Sequence, residues 1–176
     1  MSLGRPHVAF EDTEDSMGQI RLYRPFTKHI CVPSCFYKDL GEKMVPYEGY
    51  HELAYLHPKR FIPNPIKIEP LSTRDRYFVV RFIGWDAAHD GGEDGLSMAG
   101  KADLLQTLME YGKVVLSEER KPPVLLGETP DNDQDLPADM MHHLLAFATM
   151  YVGEGVTAAS EAAVLGTPSI LINSRE

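Results

Sequence analysis

The chain has 176 residues, of which 43% are hydrophobic and 24% charged, and its 17 Lys and Arg against 26 Asp and Glu leave a formal net charge of −9. That length can bury a real core, as one domain or as parts of two, and the acidity argues against nonspecific binding to nucleic acid. No apolar run approaches the roughly 18 residues of a membrane span, and no charged-then-apolar signal segment opens the chain.

Residues 7–10 read as a short strand that runs into the acidic stretch 11–15. That stretch lacks the glycine and register of a calcium loop and reads as a solvated turn. His29–Pro33 is a second strand and Met44–Tyr47 a third, with a helical turn expected over 34–40. Cys31 and Cys35 are the only cysteines. On an extended segment they stand about 13 Å apart, too far for a disulfide. Reduced thiols in a cytoplasmic protein follow as the expectation. Residues 57–70 hold prolines at 58, 63, 65 and 70 and read as a linker. The organisation expected is therefore a first domain over 1–57, a linker over 58–74 and a second domain over 75–176.

Residues 77–84 form a buried-type strand, and 86–95 a polar, glycine-rich loop. Ser97 is placed to cap a helix over 97–111 that Gly112 ends, with Leu104, Leu105, Leu108 and Met109 facing the core. A strand over 113–117, an irregular acidic stretch over 122–137 (with a short strand near 124–126) and a helix over 138–147 come next. Then follow a strand at 150–152, a helix at 157–165 and a strand at 169–173. From Tyr77 onward this alternation predicts an α/β fold, a Rossmann-like parallel sheet.

The most informative stretch runs from Tyr151 to Pro168. Gly153 and Gly155 would let the backbone turn sharply and approach a ligand, and the following helix presents free amides at Val156, Thr157, Ala158 and Ala159 that suit a phosphate. Thr157 and Glu161, four apart, share a helix face. Glu161 can equally be a solvated carboxylate, and a Gly-containing strand-to-helix turn occurs widely in α/β domains.

Other residues carry chemical potential. Arg81 lies inside an apolar strand, where an unpaired charge is costly: either its head pairs with an acidic neighbour, or the guanidinium reaches the strand's carboxyl end and binds phosphate. His89, with Asp86 or Asp90 to orient it, suits general acid–base work, and equally a surface loop. Trp85 can stack on a ligand ring or pack in a core. His51 and Glu52 are further acid–base candidates. No repeated ligand spacing calls for a metal, and no cofactor is called for. His142 and His143 are adjacent and point to different helix sides; one can fold over the Gly153 loop.

The run Glu154-Gly155-Val156-Thr157, Glu161 and Leu165-Gly166-Thr167-Pro168 resembles the nucleotide-binding segment of the UDP-N-acetylglucosamine 2-epimerases and related GT-B glycosyltransferases. Together with the runs 49–58, 81–90 and 142–146, it is similar to an uncharacterised family related to those enzymes. The resemblance implies a GT-B-type fold represented by parts of two domains, hence a fragment of a longer protein. It also implies a UDP-sugar ligand, with Gly155, Val156 and Thr157 at the diphosphate and Glu161 at the ribose, and the phosphate reading of Arg81 given above would place its guanidinium beside them. His89, Asp90, His51 and Glu52 become the catalytic candidates. Glycosyl transfer is preferred to 2-epimerisation, because Val156-Thr157 replaces the family's Gly-Gly pair. A non-catalytic nucleotide-binding or assembly module is the alternative from another class, and a homodimer is the assembly considered.

Overall fold

A computed structural model describes residues 4–83, 95–118, 121–127 and 133–172. The chain divides into two compact units, Met1–His57 and Pro58–Glu176.

The first unit is built on β1 (Val8–Phe10), β2 (His29–Pro33) and β3 (Met44–Tyr47), all parallel and in the order β1-β2-β3. Alternation along each strand divides two faces. Ile30 and Val32 point to one, where they join Ile20, Phe36 and Leu40 in a buried cluster. Ile20 comes from α1 (Met17–Tyr23), whose Met17 and Tyr23 pack on the same cluster. This helix falls just after the expected solvated turn at 11–15, in a stretch to which the sequence reading assigned no element. Two turns carrying apolar residues three apart are too short for a periodic signal. The expected helical turn over 34–40 is not helical; the only turn of helix there is a 3-10 turn at Gly41–Lys43. A second short helix, α2 (Leu53–Leu56), closes the unit.

The second unit is an α/β fold with a six-stranded, mostly parallel sheet in the order β7-β6-β5-β4-β8-β9. Its strands are β4 (Tyr77–Phe82), β5 (Lys113–Glu118), β6 (Val124–Leu125), β7 (Gln134–Asp135), β8 (Met150–Gly153) and β9 (Ser169–Leu171). The pairs β4·β5, β4·β8 and β8·β9 are parallel, whereas β5·β6 and β6·β7 are antiparallel. Central β4 is apolar at nearly every position because both its faces are covered. Phe78, Val80 and Phe82 meet the leucines of α3 (Met98–Tyr111), while Tyr77 and Val79 meet the cluster of α4 (Met141–Phe147) and α5 (Val156–Val164). Each fully buried aliphatic side chain of this kind contributes about 1.5–3 kcal/mol.

Caps fix the helix ends. Ser97 Oγ accepts from Gly100 N at 3.1 Å and starts α3. The last carbonyls of α4 are met by buried hydroxyls: Tyr77 Oη donates to Leu144 O and Thr167 Oγ1 to Leu145 O, both at 2.6 Å, and Leu145 O also accepts from the C-cap Ala148 N at 3.3 Å. Gly166, with φ +88°, takes the left-handed turn that ends α5. Residues 58–74 are folded in this unit: a 3-10 turn at Pro65–Ile68, capped by Asn64, brings Ile68 and Leu71 into the main core. No helix among the described residues is long and apolar enough to cross a membrane.

Candidate functional site

From β4 the chain passes to β5 on one side and later to β8 on the other. The order of connection therefore reverses between the carboxyl ends of β4 and β8, which is where open α/β sheets place their ligands. Arg81, near the end of β4, is in register with Ser117 on β5 and Gly153 on β8. Its guanidinium donates from Nη1 to the buried Ser117 Oγ at 2.8 Å. Among the described residues no carboxylate lies within ion-pairing distance of it, so the acidic partner allowed for by the sequence reading is a serine instead.

Glu154, bonded through its backbone to Arg81, has other work for its carboxylate. Glu154, directly after β8, is 1% exposed. Its Oε2 accepts from Ile83 N at 3.1 Å and faces Lys101 Nζ at 3.3 Å, while Oε1 accepts from Leu96 N at 2.7 Å. Its own N–H donates to Arg81 O at 3.0 Å. One carboxylate thus joins the residue after β4 to the residues that lead into α3, and it is saturated while doing so. Lys101 is further held 4.8 Å over the Phe82 ring. Sequence reasoning placed Glu154 only as a loop position; an acid between two glycines gives no hint that it will be buried.

Gly155 is the N-cap of α5 and has no side chain with which to cap the amides of Val156, Thr157 and Ala158. Arg81 lies alongside: a Cβ on Gly155 would stand 3.5 Å from Arg81 Cδ and 3.6 Å from its Nε. The φ of Gly155, −87°, suits any residue. Gly153 is the constrained glycine, because a Cβ there would be 2.4 Å from Arg81 O and 2.7 Å from Tyr151 Oη. Tyr151 donates to Gly155 O at 3.2 Å and steadies the turn; burial pushes its hydroxyl up to about 12, against the pull of the Arg81 cation. Arg81, Gly155, Val156 and Thr157 are therefore one group of neighbours, and Val156 and Thr157 are exposed.

Glu161 lies further along α5, and its Oε1 is 3.1 Å from His142 Nε2 with 13% of the side chain exposed. His142 thus lies against α5, while His143 accepts from Asn64 N through Nδ1 and packs on Phe61. Burial, then the Lys67 and His142 charges, lowers the His143 pKa. The unfolded chain then binds more protons, so stability falls as pH drops below about 6.5. We expect the urea midpoint to be lower at pH 5.5 than at pH 7.5, and His143→Gln to flatten that difference; an unchanged slope in the variant would exclude His143 as its source.

His89, Asp90, Asp86 and Trp85 lie outside the described residues. His51 and Glu52 belong to the first unit: His51 Nδ1 is 2.8 Å from Asp12 Oδ2, and Glu52 is buried at the start of α2. Among the described residues no group of three His, Cys, Asp or Glu could hold a metal ion. The hollow lined by Arg76, Gly112, Lys113 and Gly127 is at the amino ends of β4 and β5, away from Arg81.

No protein-family model matches the chain. It is similar to the transcriptional regulator MraZ of Clostridium tetani (strain Massachusetts / E88), with 30% identity over 88 residues, 48% of this chain and 59% of that protein. The chain thus spans about three-fifths of the length of this curated relative. These findings overturn the resemblance to UDP-N-acetylglucosamine 2-epimerases and GT-B glycosyltransferases: the relative found is a regulator, and nothing points to either enzyme group. The UDP-sugar transferase and epimerase readings fall with it, and the similarity found supports neither a UDP-sugar ligand nor a homodimer. The physical reason the motif misled is that a Gly turn, a small-residue helix and a Gly-Thr-Pro stop serve helix-on-sheet packing in any such fold. Here Ala158, Ala159 and Ala162 are buried in the core and Thr167 caps α4.

Proposed function

We propose that the second unit is an anion-binding module that holds the phosphate or carboxylate group of a small metabolite at the carboxyl ends of β4 and β8, and that it acts in the control of transcription. The observation that carries the reading is the Arg81 guanidinium, half-buried beside the uncapped amino end of α5, paired with a neutral serine rather than a carboxylate. Guanidinium donors and helix amides aimed at one place favour a dianion. The saturation of Glu154 by Lys101 and two amides supports it, because that carboxylate then does not neutralise Arg81. The regulatory setting is taken from the name of the similar protein. A net charge of −9 favours a ligand-responsive part over one that grips DNA phosphates itself.

Calorimetric titration with inorganic phosphate and then pyrophosphate tests the module. Wild-type protein binds, and Arg81→Ala weakens binding roughly 10- to 100-fold, the worth of one or two charge-assisted hydrogen bonds. Gly155→Ala, whose new Cβ meets only ordinary contacts, keeps the fold and is the control, with affinity close to that of wild type. Equal affinity in wild type and Arg81→Ala refutes the site.

A further inference from the structure

A second arrangement lies at the carboxyl edge of the first unit's sheet, and it does not rest on the anion reading. Two strand ends deliver three side chains there. Asp12 follows β1, Tyr47 ends β3 and His51 comes four residues later. The ladder carries this edge past the strands: Glu11 N donates to Cys31 O at 3.0 Å and Ser34 N to Tyr47 O at 2.8 Å. His51 Nδ1 lies 2.8 Å from Asp12 Oδ2. The His51 ring stacks on Tyr47 at 12° with centroids 6.0 Å apart, and Phe10 packs edge-on to both, at 6.3 Å from Tyr47 and 6.0 Å from His51.

The Tyr47 hydroxyl and His51 Nε2 are both shielded by protein and both lack a hydrogen-bond partner among the described residues. An unmet buried polar atom costs about 1–3 kcal/mol, and native folds leave few of them. Here two occur on stacked rings. An ionised Asp12 can only accept, so in the neutral imidazole of His51 the proton is on Nδ1 and Nε2 is the acceptor. The hydroxyl is held protonated: burial raises its pKa, and the Asp12 and Glu52 carboxylates, with Cys31 and Cys35, raise it further. One atom therefore accepts and the other donates, the pairing that a hydroxyl group satisfies in full.

We propose that Asp12, Tyr47 and His51 form a proton-exchange site for a small hydroxyl-bearing ligand. The ligand hydroxyl donates to His51 Nε2 and accepts from Tyr47. Its O–H bond breaks as Nε2–H forms, the imidazolium is faced by Asp12, and the proton returns by the same route. Asp12 is the positioning residue. Phe10, 66% exposed and lying edge-on to both rings, is the cover that turns aside to admit the ligand.

Diethyl pyrocarbonate tests this on the full chain, since it carbethoxylates an unprotonated imidazole nitrogen with release of ethanol and carbon dioxide. Peptide mapping by mass spectrometry follows all seven histidines. His51 is expected to react at Nε2, several-fold faster in Phe10→Ala and several-fold slower in Asp12→Asn, with the other histidines unchanged. Molar glycerol is expected to protect His51 selectively. A contact that merely ties the loop down would leave His51 unmodified in both wild type and Phe10→Ala, and that result overturns the proposal. Equal rates in Asp12→Asn overturn the positioning role, and equal rates with glycerol overturn the ligand class.

Discussion

Glu154→Ala is expected to lower the thermal midpoint of the second unit by on the order of 10 °C. Three groups lose their acceptor together: Ile83 N, Leu96 N and the Lys101 ammonium. Each stranded buried donor costs about 1–3 kcal/mol, and removing one member of a buried ion pair costs about 3–5 kcal/mol. These terms overlap, since Lys101 keeps 19% of its side chain in solvent and can turn outward. A net loss of about 3–5 kcal/mol is therefore expected, with about 4 °C lost per kcal/mol in a unit that spans Pro58–Glu176. Glu154→Gln separates charge from shape. Its amide keeps one oxygen acceptor but turns an N–H toward a backbone N–H, so it recovers less than half of the loss. Differential scanning calorimetry decides this. A shift below about 2 °C for Glu154→Ala would mean that the carboxylate is not what joins Ile83 to Leu96.

Gly153→Ala carries the second large effect. The methyl group would lie 2.4 Å from Arg81 O and 2.7 Å from Tyr151 Oη. That carbonyl also accepts from Glu154 N, so it cannot move without loosening the same junction. Overpacking of this kind costs about 1–3 kcal/mol where side chains can yield, and here a backbone oxygen must yield. We expect at least the upper end of that range in urea unfolding, together with loss of the Tyr151 bond to Gly155. Gly155→Ala is the control: its Cβ would meet nothing closer than 3.5 Å, and less than about 1 kcal/mol is expected. If the two substitutions cost the same, the close approach of β4 to the end of β8 is not the constraint described.

Much of the second unit was legible in the chain. β4 and α3 emerge where a continuous apolar run and a Ser-capped helix predict them. The Gly-loop helix likewise begins at Val156, one residue ahead of its expected start. These signals are local: periodicity, caps and turn residues act over one or two turns. The short α1 escaped because the same rule needs more residues than it has. Family resemblance misled for a related reason, since the residues that carried it are those any tightly packed β-to-α turn uses.

By itself, the sequence determined the alternation of strand and helix from Tyr77 onward, the acidic surface charge and the grouping of Arg81 with the Gly155–Thr157 turn as candidates. Only the tertiary structure decided which charges meet. It gave Arg81 a serine, Glu154 a lysine and two amides, Glu161 a histidine and His51 an aspartate 39 residues away. Those partners lie on separate elements of the fold, and their pairing depends on strand order, register and the seating of the helices. No local pattern encodes that order, because it is set by which apolar faces bury one another.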